Sequence, residues 1–381
     1  MTNTLILGDG AEERAWADWL RAQEDRRVLV ASDPDEGLSI PDLDAIIVGG
    51  PIDARGEALR RVAADGRAII CLHPPGPNAD TYYQVSMSLR ETGAVIVPDT
   101  PLRLHPGVAR LREALVGGEL GEFRVLRLVV PAEPGEDLAR VAFARVADVV
   151  PALLGELKSV NASGDPPGTE PEHELIVQLR DHQGRRAEVR VSTDRAEAAR
   201  IALVGSHGSW TLEYGPSLED PARLISRSAS SDEERIEEFD AWDPRAAILG
   251  ALSTAREAAQ ERRPLPSPNL LDGARAMELS EAVVESLRRG RTIDRHHERV
   301  DERTSFRAVM TSFGCLMFPG MLALFSASLA GRALGVEWAV YLAYPIPPVL
   351  IAFVVLQLLQ LGIRPGETEQ EADKGEPSLR G

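Results

Sequence analysis

A histidine closes the run RAIICLHPPG, which is apolar from Ala68 to Leu72 and then reads His73, Pro74, Pro75. An imidazole with an ordinary pKa of about 6.5 is a competent proton acceptor near neutral pH, which makes His73 a candidate base. The same position suits a solvated histidine at a strand end, and both readings stand. Nearer the N-terminus, LILGDGAEERAWADWL reads as a strand, a Gly8-x-Gly10 turn and a helix. Gly8 makes the tight turn, and Gly10 lets backbone approach a pyrophosphate at the helix N-terminus. The third glycine of that fingerprint is replaced by Glu13, preceded by Glu12. Two carboxylates in a first turn suit the helix dipole and oppose an anionic ligand at the same place. Asp33, in VLVASDPDE, stands where an acidic residue meets a ribose hydroxyl, or else serves an Asp-Pro-Asp turn. Arg103 and His105, in PLRLHPG, offer polar groups to a hydroxylated or anionic ligand, or decorate a loop braced by prolines. His296 and His297 stand together without a further ligand cluster, which is weak support for a metal.

The elements that must position these groups follow from composition and pattern. A chain of 381 residues exceeds what one core usually serves, so two folded units are expected. Its net charge of −17 repels phosphate backbones, and nucleic acid is not an expected partner. Cys71 and Cys315 are the two cysteines, giving neither a disulfide framework nor a CxxC metal site. Only Lys158 and Lys374 are lysines, so a mechanism that needs one has almost nowhere to find it. The start MTNTLILGDG lacks a signal peptide's basic residues and long apolar core, so the bulk of the protein is expected in the cytoplasm.

Short apolar runs at Thr4–Leu7, Val28–Ala31, Ala45–Val48, Ala68–Leu72 and Ala94–Val97 alternate with helical patterns. That alternation predicts a doubly wound parallel sheet, a Rossmann-like α/β domain over residues 1–120. After Gly121, FRVLRLVV, ELIVQLRD, RAEVRVST, IALVGSHG and SWTLEYG read as strands joined by tight turns. They predict an α+β domain with a mostly antiparallel sheet over residues 121–294, closed by the helix LLDGARAMELSEAVVESLRRG. Residues 309–330 and 338–361 then carry no charge. As helices they would span roughly 33–36 Å, enough for a bilayer core. Two transmembrane helices are expected over 309–361, behind a basic juxtamembrane segment at 295–308 and before a disordered tail at 362–381. Arginines flanking the pair on one side place the large domain and the tail in the cytoplasm, at the cell (inner) membrane.

The progression LDAIIVGGPIDARGEALRRVAADGRAIICLHPPG, GAVIVPDTPLRLHPGVARLREALVGGELGEFRVLRL, RIALVGSHGSWTLEY and DGARAMELSEAVVESLRRGRTID resembles the glucose–fructose oxidoreductase / inositol dehydrogenase (Gfo/Idh/MocA) family over residues 1–294. The resemblance implies an N-terminal domain that binds NAD or NADP, with Gly8, Gly10, Asp33, Pro51 and Pro74 on the cofactor side. It implies redox chemistry on a sugar, cyclitol or similar small molecule, and oligomerisation through the second sheet. The family's Glu-Lys-Pro is matched by Leu72, His73 and Pro74, so its lysine has become a histidine. Its aspartate and histidine at the start of the second domain fall on Val141 and Arg145, and a further aspartate on Asp148. The asparagine and histidine after its third-strand proline fall on Ile52 and Arg55. His73 and Asp148 are thus the candidate catalytic pair, with Arg103, His105 and Arg145 on the substrate side. Arg145 stays protonated and cannot act as a base. Three readings follow: a membrane-tethered binding domain with an eroded catalytic set, an active NAD(P)-dependent oxidoreductase using His73, or a non-catalytic membrane scaffold.

Overall fold

The computed structural model describes residues 2–294 except 25, 166–171, 195–197 and 232, together with 325–330, 333, 334, 341 and 344. Five parallel strands, β1 (Thr2–Leu7), β2 (Arg26–Ala31), β3 (Ala45–Val48), β4 (Ala68–Leu72) and β5 (Val95–Asp99), lie in the order β2-β1-β3-β4-β5. The helices α1 (Ala11–Arg21), α2 (Pro34–Leu38), α3 (Ile52–Ala64) and α4 (Asp80–Thr92) alternate with them. The runs AIIV and AIICL are buried at every position because helices cover both faces of a doubly wound sheet. Strand order reverses beside β1, and ligands of such sheets bind beyond the carboxyl ends of the strands at that point.

A 3-10 turn at Pro101–Leu104 and α5 (Pro106–Val116) lead into the second sheet. Its strands are β6 (Phe123–Pro131), β7 (Leu157–Gly164), β8 (Glu174–Asp181), β9 (Arg186–Ser192), β10 (Ala199–Gly205), β11 (Gly208–Tyr214), β12 (Ala222–Ser228), β13 (Glu234–Phe239) and β14 (Ile293–Asp294). Their order is β13-β12-β11-β10-β6-β9-β8-β7-β14, with β6 and β9 parallel and the other pairs antiparallel. Leu175, Val177 and Leu179 of β8 alternate inward with Ala187, Val189 and Val191 of β9, so one face is a core. Between β6 and β7 come a π-helical turn at Leu138–Phe143 and the short helices α6 (Ala144–Val146) and α7 (Val149–Leu154).

Two later helices join the halves. α8 (Pro244–Gln260) lays Ile248, Leu252 and Ala255 on the parallel sheet, against Ile70 and Val97. The chain therefore returns from beyond residue 121 to cover the β4–β5 edge, whose apolar face would otherwise meet water. α9 (Leu270–Arg289) begins with an Asn269–Asp272 capping box and ends at Gly290 in the left-handed region (φ 60°). Its Ala274 and Met277 join the parallel-sheet core, while Leu279 and Val283 join the second-sheet core. Residues 298–381 form a separate unit, in which 325–330 are helical. Among the described residues no helix is long and apolar enough to cross a membrane. The expected juxtamembrane segment, most of the expected spans, the tail and the His296–His297 pair lie outside the described residues.

Candidate functional site

At the carboxyl end of β4 the chain turns through a cis His73–Pro74 peptide. The His73 side chain is not solvated: 3% of it is exposed, which corrects the expectation of a strand-end histidine in water. Its Nδ1 lies 3.1 Å from the Tyr82 hydroxyl on α4, and the Ala144 backbone lies near enough to the ring to favour its protonated form slightly. Burial, reinforced by the Arg55 guanidinium, pushes the imidazole down to about 3. It stays neutral at physiological pH and is a feeble proton acceptor there.

His73 lines a cleft of 490 Å³ between the carboxyl end of the parallel sheet and the second sheet. Asp99, at the end of β5, lines it too, and its Oδ2 accepts 2.9 Å from the Trp16 indole Nε1–H of α1. Burial pushes the Asp99 carboxyl up to about 6, and the nearby Glu12 carboxylate adds to the rise. Arg145 reaches over from α6 and bonds Glu12 of α1 at 2.7 Å and Glu136 at 2.6 Å. Trp16, Tyr214, Leu102 and Val130 supply apolar wall. Asp99 and Trp16 were missed in the sequence. The signal was present in VIVPD, since an acidic residue closing a parallel strand faces the ligand side of such a sheet.

Beside this cleft the β1–α1 and β3–α3 turns meet. Gly8 has φ +110°, and a Cβ there would lie 2.5 Å from the Gly50 nitrogen. The Glu13 carboxylate folds back between the two turns, 4% exposed, and accepts 2.5 Å from the Gly50 N–H. A Cβ on Gly10 or on Gly49 would collide with that carboxylate. Facing it at 3.9 Å is Arg55 of α3, itself 5% exposed. The guanidinium donates to the carbonyls of Gly50 (2.9 Å), Leu72 (3.2 Å) and Pro74 (2.8 Å), tying the β3 turn to the end of β4.

No protein-family model matches the chain. It is 31% identical over 101 residues to trans-1,2-dihydrobenzene-1,2-diol dehydrogenase of Oryctolagus cuniculus, a stretch that is 26% of this chain and 30% of that relative. The chain thus matches under a third of that curated relative's length. Solved structures align far more widely. Aldose-aldose oxidoreductase from Caulobacter crescentus, complexed with glycerol, superposes with a TM-score of 0.66 over 77% of this chain and 99% of its own, at 17% identity. Levoglucosan dehydrogenase, in complex with NADH and levoglucosan, gives 0.63 over 77% and 99%, at 16% identity. The fold is that of the Gfo/Idh/MocA oxidoreductases.

The Gfo/Idh/MocA fold receives a dinucleotide's pyrophosphate at the first turn of α1. Here the residues do not fit one: Gly8 and Gly10 keep the turn, but the Glu13 carboxylate fills the space they leave. Asp33 caps α2, its Oδ1 accepting from the Asp35 N–H at 2.9 Å, which is the bond an Asp-Pro-Asp turn calls for. Pro51 precedes α3, and Pro74 offers its carbonyl to Arg55. Arg103, His105 and Asp148 lie outside the lining of the cleft that His73 enters. Asp148 is 1% exposed and lies 3.5 Å from Arg103, which also meets Asp272 of α9 at 3.4 Å. Burial raises the Asp148 carboxyl to about 6 even though Arg103 pulls it down. The triplet holds the start of α9 against the second domain. His105 caps α5, its Nδ1 accepting from the Gly107 N–H at 3.0 Å, with its ring against Trp242. Of the named site residues, the structure brings His73 and Arg145 into one cleft.

Proposed function

We propose that this chain is a binding protein on an oxidoreductase fold: it holds a sugar-like, hydroxylated small molecule in the cleft and moves no hydride through His73. One observation carries the reading. The cleft stays open at 490 Å³, within the range that takes a small ligand, while the histidine standing for the family's lysine has lost its basicity to burial. Asp99 and Arg145 face hydroxyl groups, and Trp16 and Tyr214 face the C–H surfaces of a ring. The neighbours named for levoglucosan and complexed with glycerol support this ligand class.

The test is calorimetric titration of the full-length protein with a panel of monosaccharides, anhydrosugars and cyclitols. At least one is expected to bind, and Asp99→Asn is expected to weaken it about tenfold through loss of one charged hydrogen bond. Silence across the panel, or reduction of NAD(P)+ with any member, would remove the reading; reduction would favour an active oxidoreductase instead.

The same reading places the module at a membrane, through the uncharged segments 309–330 and 338–361, with both ends of the hairpin cytoplasmic. A reporter enzyme fused after Gly381 is expected to be active only in the cytoplasm. Activity on the far side of the membrane would reverse the topology. Self-association through the outer face of the second sheet, implied by the family resemblance, completes the proposal.

A further inference from the structure

We infer that Glu13 is a resident anion in the dinucleotide cradle, and that this carboxylate, not general decay of the fold, is what shuts NAD(P) out. The position is specific. Glu13 replaces the glycine that allows close packing at the start of the first helix. A side chain there could have pointed to water, as Glu12 partly does at 43% exposure. Instead it is buried and directed at the Gly49–Gly50 turn. Gly50 has φ +87°, and its N–H, aimed into the cradle, finds its acceptor in Glu13. Arg55 supplies the compensating positive charge from the opposite side. The chain thus provides from within the two things a pyrophosphate offers a cradle of this kind, an acceptor for turn N–H groups and a negative charge.

Competition follows from charge as well as from space. A pyrophosphate entering beside Gly10 meets the Glu13 carboxylate and, one residue away, Glu12. Repulsion between like charges at this range, partly offset here by Arg55 beside both carboxylates, costs on the order of tenfold in binding, and the filled space adds to it. Arg145, paired with Glu12 and Glu136, offsets the Glu12 charge, and the opposing charge left in the cradle is that of Glu13. The cleft itself lies beyond the plug and remains open, so a ligand that carries no phosphate can still enter.

The experiment measures NADH and NADPH binding, by nucleotide fluorescence and calorimetry, to the full-length protein and to Glu13→Gly and Glu13→Gln. The natural protein is expected to show no saturation at millimolar nucleotide. Glu13→Gly restores the glycine and is expected to bind at least about a hundredfold tighter. Glu13→Gln keeps the size and the acceptor for Gly50 N–H but removes the charge, and is expected to gain about tenfold. Micromolar binding by the natural protein would overturn the inference. So would a folded Glu13→Gly that stays silent; if that variant does not fold, an absence of gain in Glu13→Gln decides against it. These outcomes concern the cofactor side alone. Sugar titrations run without nucleotide test the proposed ligand separately, so either claim can fail while the other stands.

Discussion

Arg55→Met is expected to lower the free energy of unfolding by about 3–5 kcal/mol, the range for breaking a buried ion pair by removing one partner. The guanidinium is 5% exposed and donates to three backbone carbonyls, those of Gly50, Leu72 and Pro74. A thioether fills the space and satisfies none of them, at roughly 1–3 kcal/mol for each carbonyl that water cannot reach. It also leaves the Glu13 carboxylate buried among glycines without its countercharge. Arg55→Lys returns the charge but not the planar fork, so it should recover part of the loss. The informative comparison is the double variant Glu13→Gln/Arg55→Met. Without an orphaned carboxylate it should lose less than the two single losses added together, an interaction of about 1–3 kcal/mol. Urea unfolding followed by tryptophan fluorescence gives all four values. A loss below about 1 kcal/mol for Arg55→Met would show that these hydrogen bonds do not hold the two turns together.

Arg55 also shows where the sequence stops speaking. The apolar runs of β3 and β4 announce themselves because a strand buried on both faces needs no partner's identity to be recognised. The turns at Gly184 and Gly208 were equally legible, since positive φ calls for glycine. The edge strand ERIEEF (β13) and its neighbour ARLISRS (β12) were not, because strands at or beside a sheet edge can carry Arg, Ser and Glu on an exposed face in place of a continuous apolar run. The site was less legible still. His73 was visible as a strand end, but Tyr82, which stacks on its ring, and Arg55, whose charge acts on it, arrive from other elements. His105 resembles a ligand group in PLRLHPG, yet the proline after it makes it a helix cap, a role served as well by Asp or Ser. Asp148 keeps its place in the sequence while its partner, Arg103, lies 45 residues earlier. Such pairings are set by how the halves dock, and no local pattern encodes that.

Asp99→Asn is expected to do the opposite of Arg55→Met and stabilise the protein at neutral pH. Burial raises this carboxyl from its ordinary 3.8 to about 6, so between those values the folded state holds a proton that the unfolded state has released. Stability therefore falls as pH rises through that window, and above it the loss is complete. Taken at full size the rise is worth about 3 kcal/mol, and roughly 2 kcal/mol once solvent reaching a half-buried carboxyl is allowed for. The amide keeps an oxygen for the Trp16 indole N–H and carries no charge, so the variant should gain that amount at pH 7. Its advantage should shrink as pH falls and disappear below about 4. Urea midpoints of both proteins from pH 4 to 7 test this; a constant difference, or a variant less stable at pH 7, would show that Asp99 is not held in an unfavourable ionised state. The cost of that ionised state also bears on function. A ligand that donates a hydroxyl to Asp99 favours the charged form, so binding should strengthen as pH rises through about 6. The substitution that stabilises the fold should then weaken the ligand, as expected for a group retained for binding at the expense of stability.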